Sequence, residues 1–244
     1  MKAEKTSTEI DVKKLMETIG KQARAAYRLL ADASPEQKNT ALLEAAKEIR
    51  AQSEQIIAAN EADMSEANNA GLSKAMLDRL KLKPAGVEAM AKSLETIASF
   101  PDPVGKILAE WSRPNGLLIQ RVSVPLGVIG MIYESRPNVT ADAGGLCLKS
   151  GNAVILRGGS DSLNSSKAIA ECLHAGLEKA GLPTDAIQLV PTRDRQAVGE
   201  MLSMNEYIDI IVPRGGKSLT ERILKESRIA TIQHLEGNGH TYIH

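Results

Sequence analysis

Aromatic side chains are scarce in this sequence: one tryptophan, one phenylalanine and four tyrosines among 244 residues. Platforms for single-stranded nucleic acid stack bases on clustered aromatics, so that class of function is disfavoured. An excess of charge is also lacking, since thirty basic residues balance thirty acidic ones. No broad field for nucleic acid or a membrane surface results. No run of about 20 apolar residues occurs, so no transmembrane helix is expected. The opening Met1-Lys2-Ala3-Glu4-Lys5 leads into no apolar signal segment. Cys147 and Cys172 form neither a CxxC pair nor a disulfide framework. Both lie in apolar, helix-like stretches and read as buried thiols, which suits a reducing, cytoplasmic setting. His234, His240 and His244 invite a metal. Gly237 to Gly239 argue against the helix that His240 and His244 would need to share a face, and no HExxH is present. No metal site is expected.

What is present is a core supply of Ala, Leu, Ile and Val in two patterns. The first hundred residues read as helix. Ser34-Pro35-Glu36-Gln37 has the form of a capping box with proline at the first helical position. Leu42, Ala45, Ala46, Ile49, Ile56 and Ile57 follow at roughly helical spacing. Gly71 suits a left-handed helix end. Pro84 can start a further helix carrying Val87, Met90, Ala91, Leu94 and Ile97. This region reads as a packing scaffold without chemistry.

Beyond Pro101-Asp102-Pro103 the pattern changes. Residues 117–124 alternate like a strand. Short β-branched runs at 128–132, 153–156, 187–190, 208–212 and 230–232 then alternate with helix-like runs at about 139–149, 162–180, 194–203 and 217–226. Strands separated by helices imply parallel pairing with right-handed crossovers, and hence a doubly wound α/β sheet. Ligands of such sheets lie at the carboxyl ends of the strands.

Three strand ends carry chemistry. Arg136 and Asn138 follow the 128–132 run. Arginine can grip a phosphate or carboxylate with two prongs, and an asparagine amide can donate to a developing oxyanion. Equally, Asn138 could simply cap the next helix. Arg157-Gly158-Gly159 follows the 153–156 run. Its glycines permit close backbone approach, and the helix N-terminus behind them could receive a phosphate. Pro213-Arg214-Gly215-Gly216-Lys217 repeats the construction after the 208–212 run. The two glycine loops are expected on neighbouring strands. Neither is a GxGxxG or a GxxxxGK[ST] motif.

The stretch Val124-Pro125-Leu126-Gly127-Val128-Ile129-Gly130-Met131-Ile132-Tyr133-Glu134-Ser135-Arg136-Pro137-Asn138-Val139-Thr140 resembles a signature of the γ-glutamyl-phosphate reductases, which belong to the aldehyde dehydrogenase superfamily. Residues 146–159 and 207–216 resemble the next two signatures, and 75–80 and 101–105 also match. The resemblance runs from about residue 12 to the end. It implies an aldehyde-dehydrogenase-like fold with a Rossmann-like cofactor domain. Residues 1–100 would be its helical part and 101–244 its α/β nicotinamide-cofactor-binding part. It implies reduction of L-glutamyl 5-phosphate to L-glutamate 5-semialdehyde and phosphate in proline biosynthesis, with NADPH (NADP) as cofactor and a cysteine thioester on the path. It further implies a cytoplasmic homo-oligomer when full length, with no nucleic-acid or membrane partner.

By motif position, the resemblance makes Asn138 the oxyanion donor. Arg157, with Gly158 and Gly159, falls beside the adenosine ribose, and Gly215 and Gly216 cover the pyrophosphate. Arg136 is our assignment for the substrate's phosphate or carboxylate. The departures are equally specific. The family's S-T-C-N-like nucleophile segment is not in this chain, and Cys147 is a poor substitute. His234 falls where hydrolytic relatives carry a general-base glutamate, and Glu236 does not inherit that role. Gly239 replaces a frequent cysteine. The chain as given is therefore expected to lack turnover and to expose apolar surface. The alternative is a catalytically inactive nucleotide-binding or partner-binding remnant.

Overall fold

The computed structural model describes residues 11–233 and 242. Helix α1 (Val12–Leu30) starts where the Asp11 carboxylate accepts the Lys14 amide at 3.1 Å. Helix α2 (Pro35–Ala51) opens on the capping box: the Ser34 hydroxyl accepts from Gln37 N at 3.2 Å, and Ser34 N donates to the Gln37 side chain at 3.0 Å. The helical spacing that continues to Ile57 is interrupted at Gln52, which separates α2 from α3 (Ser53–Asn69). Gly71 then takes φ +73°, as a helix exit requires. Helices α4 (Lys74–Leu80) and α5 (Pro84–Ser99) follow, and the five apolar positions expected of α5 are all buried.

One element escapes local pattern reading. Strand β1 (Ile107–Ser112) pairs antiparallel with β2 (Leu118–Val122), the strand expected within 117–124. The hairpin stands apart from the main sheet. Nearly all its residues are exposed, so β1 has no buried face to impose an alternation.

The main sheet follows the expected alternation closely: β3 (Val128–Tyr133), α6 (Val139–Lys149), β4 (Ala153–Arg157), α7 (Leu163–Lys179), β5 (Ile187–Leu189), α8 (Gln196–Ser203), β6 (Ile210–Arg214), α9 (Lys217–Glu226) and β7 (Ala230–Thr231). The strands are all parallel, in the order β5-β4-β3-β6-β7. Chain order therefore reverses direction between β3 and β6, which opens a crevice at their carboxyl ends. It also corrects one expectation, because the strands bearing the two glycine loops, β4 and β6, are not neighbours but flank β3.

Helices α6 and α7 cover one sheet face, with α2 packed on α7 and α5 on α6; α1 and α8 cover the other. The helical layer and the sheet share one continuous core, from Val12 through Leu42 and Leu94 to Ile155 and Ile211. Each fully buried Leu or Ile contributes about 1.5–3 kcal/mol relative to exposure. The N-terminal helices are thus structurally inseparable from the sheet they cover.

Candidate functional site

The strand ends build two adjoining cavities. The first, about 570 Å3, is bounded by the ends of β3 and β4 and by α8 and α9, with Arg157, Gly158, Gly159 and Arg195 among its lining. The second, about 490 Å3, lies at the β3–β6 crevice and is lined by Arg136, Arg214, Gly215 and Gly216, with Met76 and Arg79 reaching in from α4. Met76, Glu134 and Ser135 line both, so the two form one trough.

Buried and hydrogen-bonded side chains form the floor of the trough. Tyr133 is fully buried, and its hydroxyl shares a 2.7 Å hydrogen bond with that of Thr140. Burial raises its pKa. A side chain at Gly158 would come within 3.1 Å of the Tyr133 ring and would press on that buried side chain. Ser135 takes φ +41°, alone among the described non-glycine residues in being positive. Its hydroxyl donates to Asp161 at 2.6 Å, tying the β3 loop to the β4 loop.

The junction after β4 is closed. The guanidinium of Arg157 is buried and donates to the carbonyls of Gly158, Arg193 and Asp194. Burial lowers its pKa, though no neighbouring residue could deprotonate it at neutral pH. The N-terminus of α7 is already occupied. Asp63, from α3, is buried and accepts Asn164 N at 3.2 Å, Ser165 N at 2.8 Å and the Ser165 hydroxyl at 2.6 Å. This corrects the expectation that the helix behind Arg157-Gly158-Gly159 could receive a phosphate. Its amides are satisfied by a carboxylate more than a hundred residues earlier in the chain.

The junction after β6 is open. Helix α9 has no capping side chain of its own; Gly216 N donates at 2.8 Å to the exposed Glu134 carboxylate. A side chain at Gly215 would meet that carboxylate at 2.6 Å and Leu219 at 2.8 Å, so bare backbone faces the trough here.

Asn138 is the N-cap residue of α6, its carbonyl accepting from Ala141 N and Asp142 N. It sits at the start of α6 without a side-chain capping bond, and its amide instead donates to Asp142 at 3.0 Å. Asp142 is held from the other side by the Ser93 hydroxyl at 2.9 Å. Asn138 does not line either cavity, whereas its neighbours Arg136 and Val139 line the second. The trough therefore brings together Arg136, Gly215 and Gly216 in one cavity and Arg157, Gly158 and Gly159 in the other. Sequence reading missed Glu134, Arg79, Arg195 and Asp63. The first two lay within stretches that carry the family resemblance, and Arg195 lay in the helix-like run 194–203.

Neither thiol offers a nucleophile. Cys147 and Cys172 are buried, and burial pushes each up to about 12. Among the described residues no group of three His, Cys, Asp or Glu could hold a metal. His234, Glu236, Gly239, His240 and His244 lie outside the described residues. No described helix is long and apolar enough to cross a membrane.

The sequence pattern of the aldehyde dehydrogenase family, by that description, matches residues 5–244. A gamma-glutamyl phosphate reductase of Rhodospirillum rubrum is 62% identical over 237 residues, which cover 97% of this chain and 56% of the relative. One from Paramagnetospirillum magneticum is 61% identical over 238 residues, 98% of this chain and 56% of that protein. The chain spans about half the length of the curated relatives it matches. Among solved structures, a gamma-glutamyl phosphate reductase from Thermotoga maritima superposes with TM-score 0.86 at 37% identity, covering 88% of this chain and 52% of that one. The corresponding protein from Saccharomyces cerevisiae gives TM-score 0.84 at 33% identity, with coverages of 91% and 56%.

Proposed function

Because this chain belongs to the aldehyde dehydrogenase family, we propose that it forms the cofactor-binding part of a γ-glutamyl-phosphate reductase. In this reading residues 1–100 are the helical part and 101–244 the α/β part of one nicotinamide-cofactor domain. The observation that carries the proposal is the trough: two glycine-floored cavities, rimmed by arginines in a chain of zero net charge, at the carboxyl ends of parallel strands. A dinucleotide fits that shape. The bare backbone at Gly215 and the Gly216 N–H suit a pyrophosphate. The flat Gly158–Gly159 floor beside Arg157 suits the adenosine half.

The finer reading is NADPH. Arg195 lines the adenosine-side cavity with no ion pair among the described residues, Arg157 and Arg222 line it while held by carbonyls and by Glu226, and its Asp161 carboxylate is engaged by Ser135. A cationic wall favours a ribose phosphate, where a free carboxylate would favour the hydroxyl. The nicotinamide cofactor, when bound, supplies the hydride that takes an acyl group to an aldehyde. In the proposed reaction the substrate is L-glutamyl 5-phosphate, a small molecule, and the products are the 5-semialdehyde and phosphate. Arg136 would hold a substrate phosphate or carboxylate. The Asn138 amide, oriented by Asp142, would donate to the oxygen of the reacting carbonyl. The nucleophilic thiol is neither Cys147 nor Cys172, so reductase turnover by this chain alone should be undetectable. The exposed apolar hairpin, with Ile107, Leu108, Trp111 and Leu118, supports a homo-oligomer.

Titration with NADPH, followed by nicotinamide fluorescence, tests the cofactor reading. Saturable binding, weaker for NADH and lost in Gly215→Asp, is expected. An absence of binding to the folded chain would refute it.

A further inference from the structure

Arg79, Arg136 and Arg214 converge on the crevice between β3 and β6 from three separate elements: α4, the β3–α6 loop and the end of β6. All three are exposed, and among the described residues none has an ion pair or a side-chain hydrogen bond. Most other arginines near the trough are engaged: Arg157 with carbonyls, Arg193 with Glu66 at 2.5 Å, Arg222 with Glu226 at 3.0 Å. The one carboxylate lining this cavity, that of Glu134, is bonded to Gly216 N. Three cations therefore face one space of about 490 Å3 with a single negative charge among them.

Like charges gathered around a concave, low-dielectric wall repel one another and concentrate anions. Guanidinium forks match the oxygen geometry of phosphate better than any other side chain does. A mere solvated face would scatter such residues. Here they come from positions 79, 136 and 214, far apart in the chain.

We infer that Arg79 and Arg214 join Arg136 in a single phosphoryl-binding subsite at the β3–β6 crevice. The assignment of Arg79 gives α4 a chemical role: this short helix carries a cation to the rim of the trough. The inference rests on the proposed function for the identity of the ligand, and two sources share its chemistry. One is the phosphate of an acyl phosphate substrate, for which inorganic phosphate is the probe. The other is the pyrophosphate of the dinucleotide, for which ADP-ribose is the probe.

Calorimetric titration of the whole chain with each probe tests it, using Arg79→Ala and Arg214→Gln, with Arg28→Ala as an exposed, distant control that removes the same charge. Thermal melting verifies that each variant is folded, which exposure of all three positions makes the expected outcome. At least tenfold weaker phosphate binding in both site variants, with ADP-ribose unchanged, assigns the subsite to the substrate. Tenfold weaker ADP-ribose binding assigns it to the cofactor. Arg79→Lys should restore only part of the loss, since a point charge replaces a fork, and affinity should fall with added salt. No change for either probe in either site variant overturns the inference, as does failure of the unmodified chain to bind both. The underlying reading fails separately. NADPH binding, with neither phosphate nor ADP-ribose binding dependent on Arg79 and Arg214, leaves the cofactor domain standing and removes the subsite. Phosphate binding that depends on Arg79 in a chain that ignores NADPH does the reverse.

Discussion

The junctions β4–α7 and β6–α9 look alike in sequence and differ in the fold. Each is a strand ending in arginine, two glycines and a helix. After β4 the arginine is buried and the helix N-terminus is plugged by Asp63. After β6 the arginine is free, and the helix N-terminus meets only an exposed glutamate. A glycine loop before a helix is thus only half of an anion site; the other half is whether another part of the chain has already satisfied the amides. The helical layer decides this, since α3 lies over one junction and not the other.

The largest effect expected from that contrast is on stability. Asp63→Ala strips a buried cap from α7, leaving two amides and a hydroxyl without their acceptor. Hydrogen bonds to a buried charge are worth about 1.5–3 kcal/mol each, and not additively, so a total loss of about 3 kcal/mol is expected in denaturant unfolding. A loss below about 1 kcal/mol would mean that water replaces the cap and that the junction is not closed. Arg157→Ala comes next, at about 1–2 kcal/mol, because the carbonyls of Arg193 and Asp194 lose their donor. Were it instead to leave stability intact, the guanidinium would not be what holds the β4 junction closed.

These two residues also mark how far the sequence could be read. The parallel strands and their helices were legible because buried β-branched runs and amphipathic helices impose strong local periods. Ser34 and Gln37 were legible because a capping box is local. Strand β1 was not, since exposure on both faces leaves no period to see. At the site, local reading located Arg136, Arg157 and the glycine pairs as strand-end residues. It could not tell which loop was open. The bond from Asp63 to Ser165 spans 102 residues, and no local pattern announces it. The place of Arg79 at the crevice was illegible for the same reason: its companions there come from elements far along the chain.

A smaller effect is expected at the open junction. Glu134→Gln keeps an acceptor for Gly216 N and removes the charge. The loss of favourable interaction with the α9 dipole should cost at most about 1 kcal/mol. Removing a carboxylate from the trough should also tighten ADP-ribose binding about threefold, the scale of an exposed charge interaction. Unchanged or weaker binding would show that the glutamate assists the ligand rather than competing with it.

The smallest effect concerns the thiols beneath the closed junction. Cys172 lies on α7 and its thiol donates to the Ala168 carbonyl at 3.3 Å; Cys147 lies on α6. Burial pushes both up to about 12 in the folded chain. In the unfolded chain a thiol titrates near about 8.5. Below that value both states hold the proton, and the thiols add no pH dependence. Above it the unfolded state releases its proton first, so the folded state loses stability progressively as pH rises toward about 12. Alkylation by iodoacetamide at pH 7.5 should therefore be slow in the native chain. Asp63→Ala should hasten it at Cys172 more than at Cys147, because α7 is the helix whose cap was removed. Equal acceleration at both would show that the loss of Asp63 loosens the whole sheet face, and the closed junction would then be a property of the core and not of its cap.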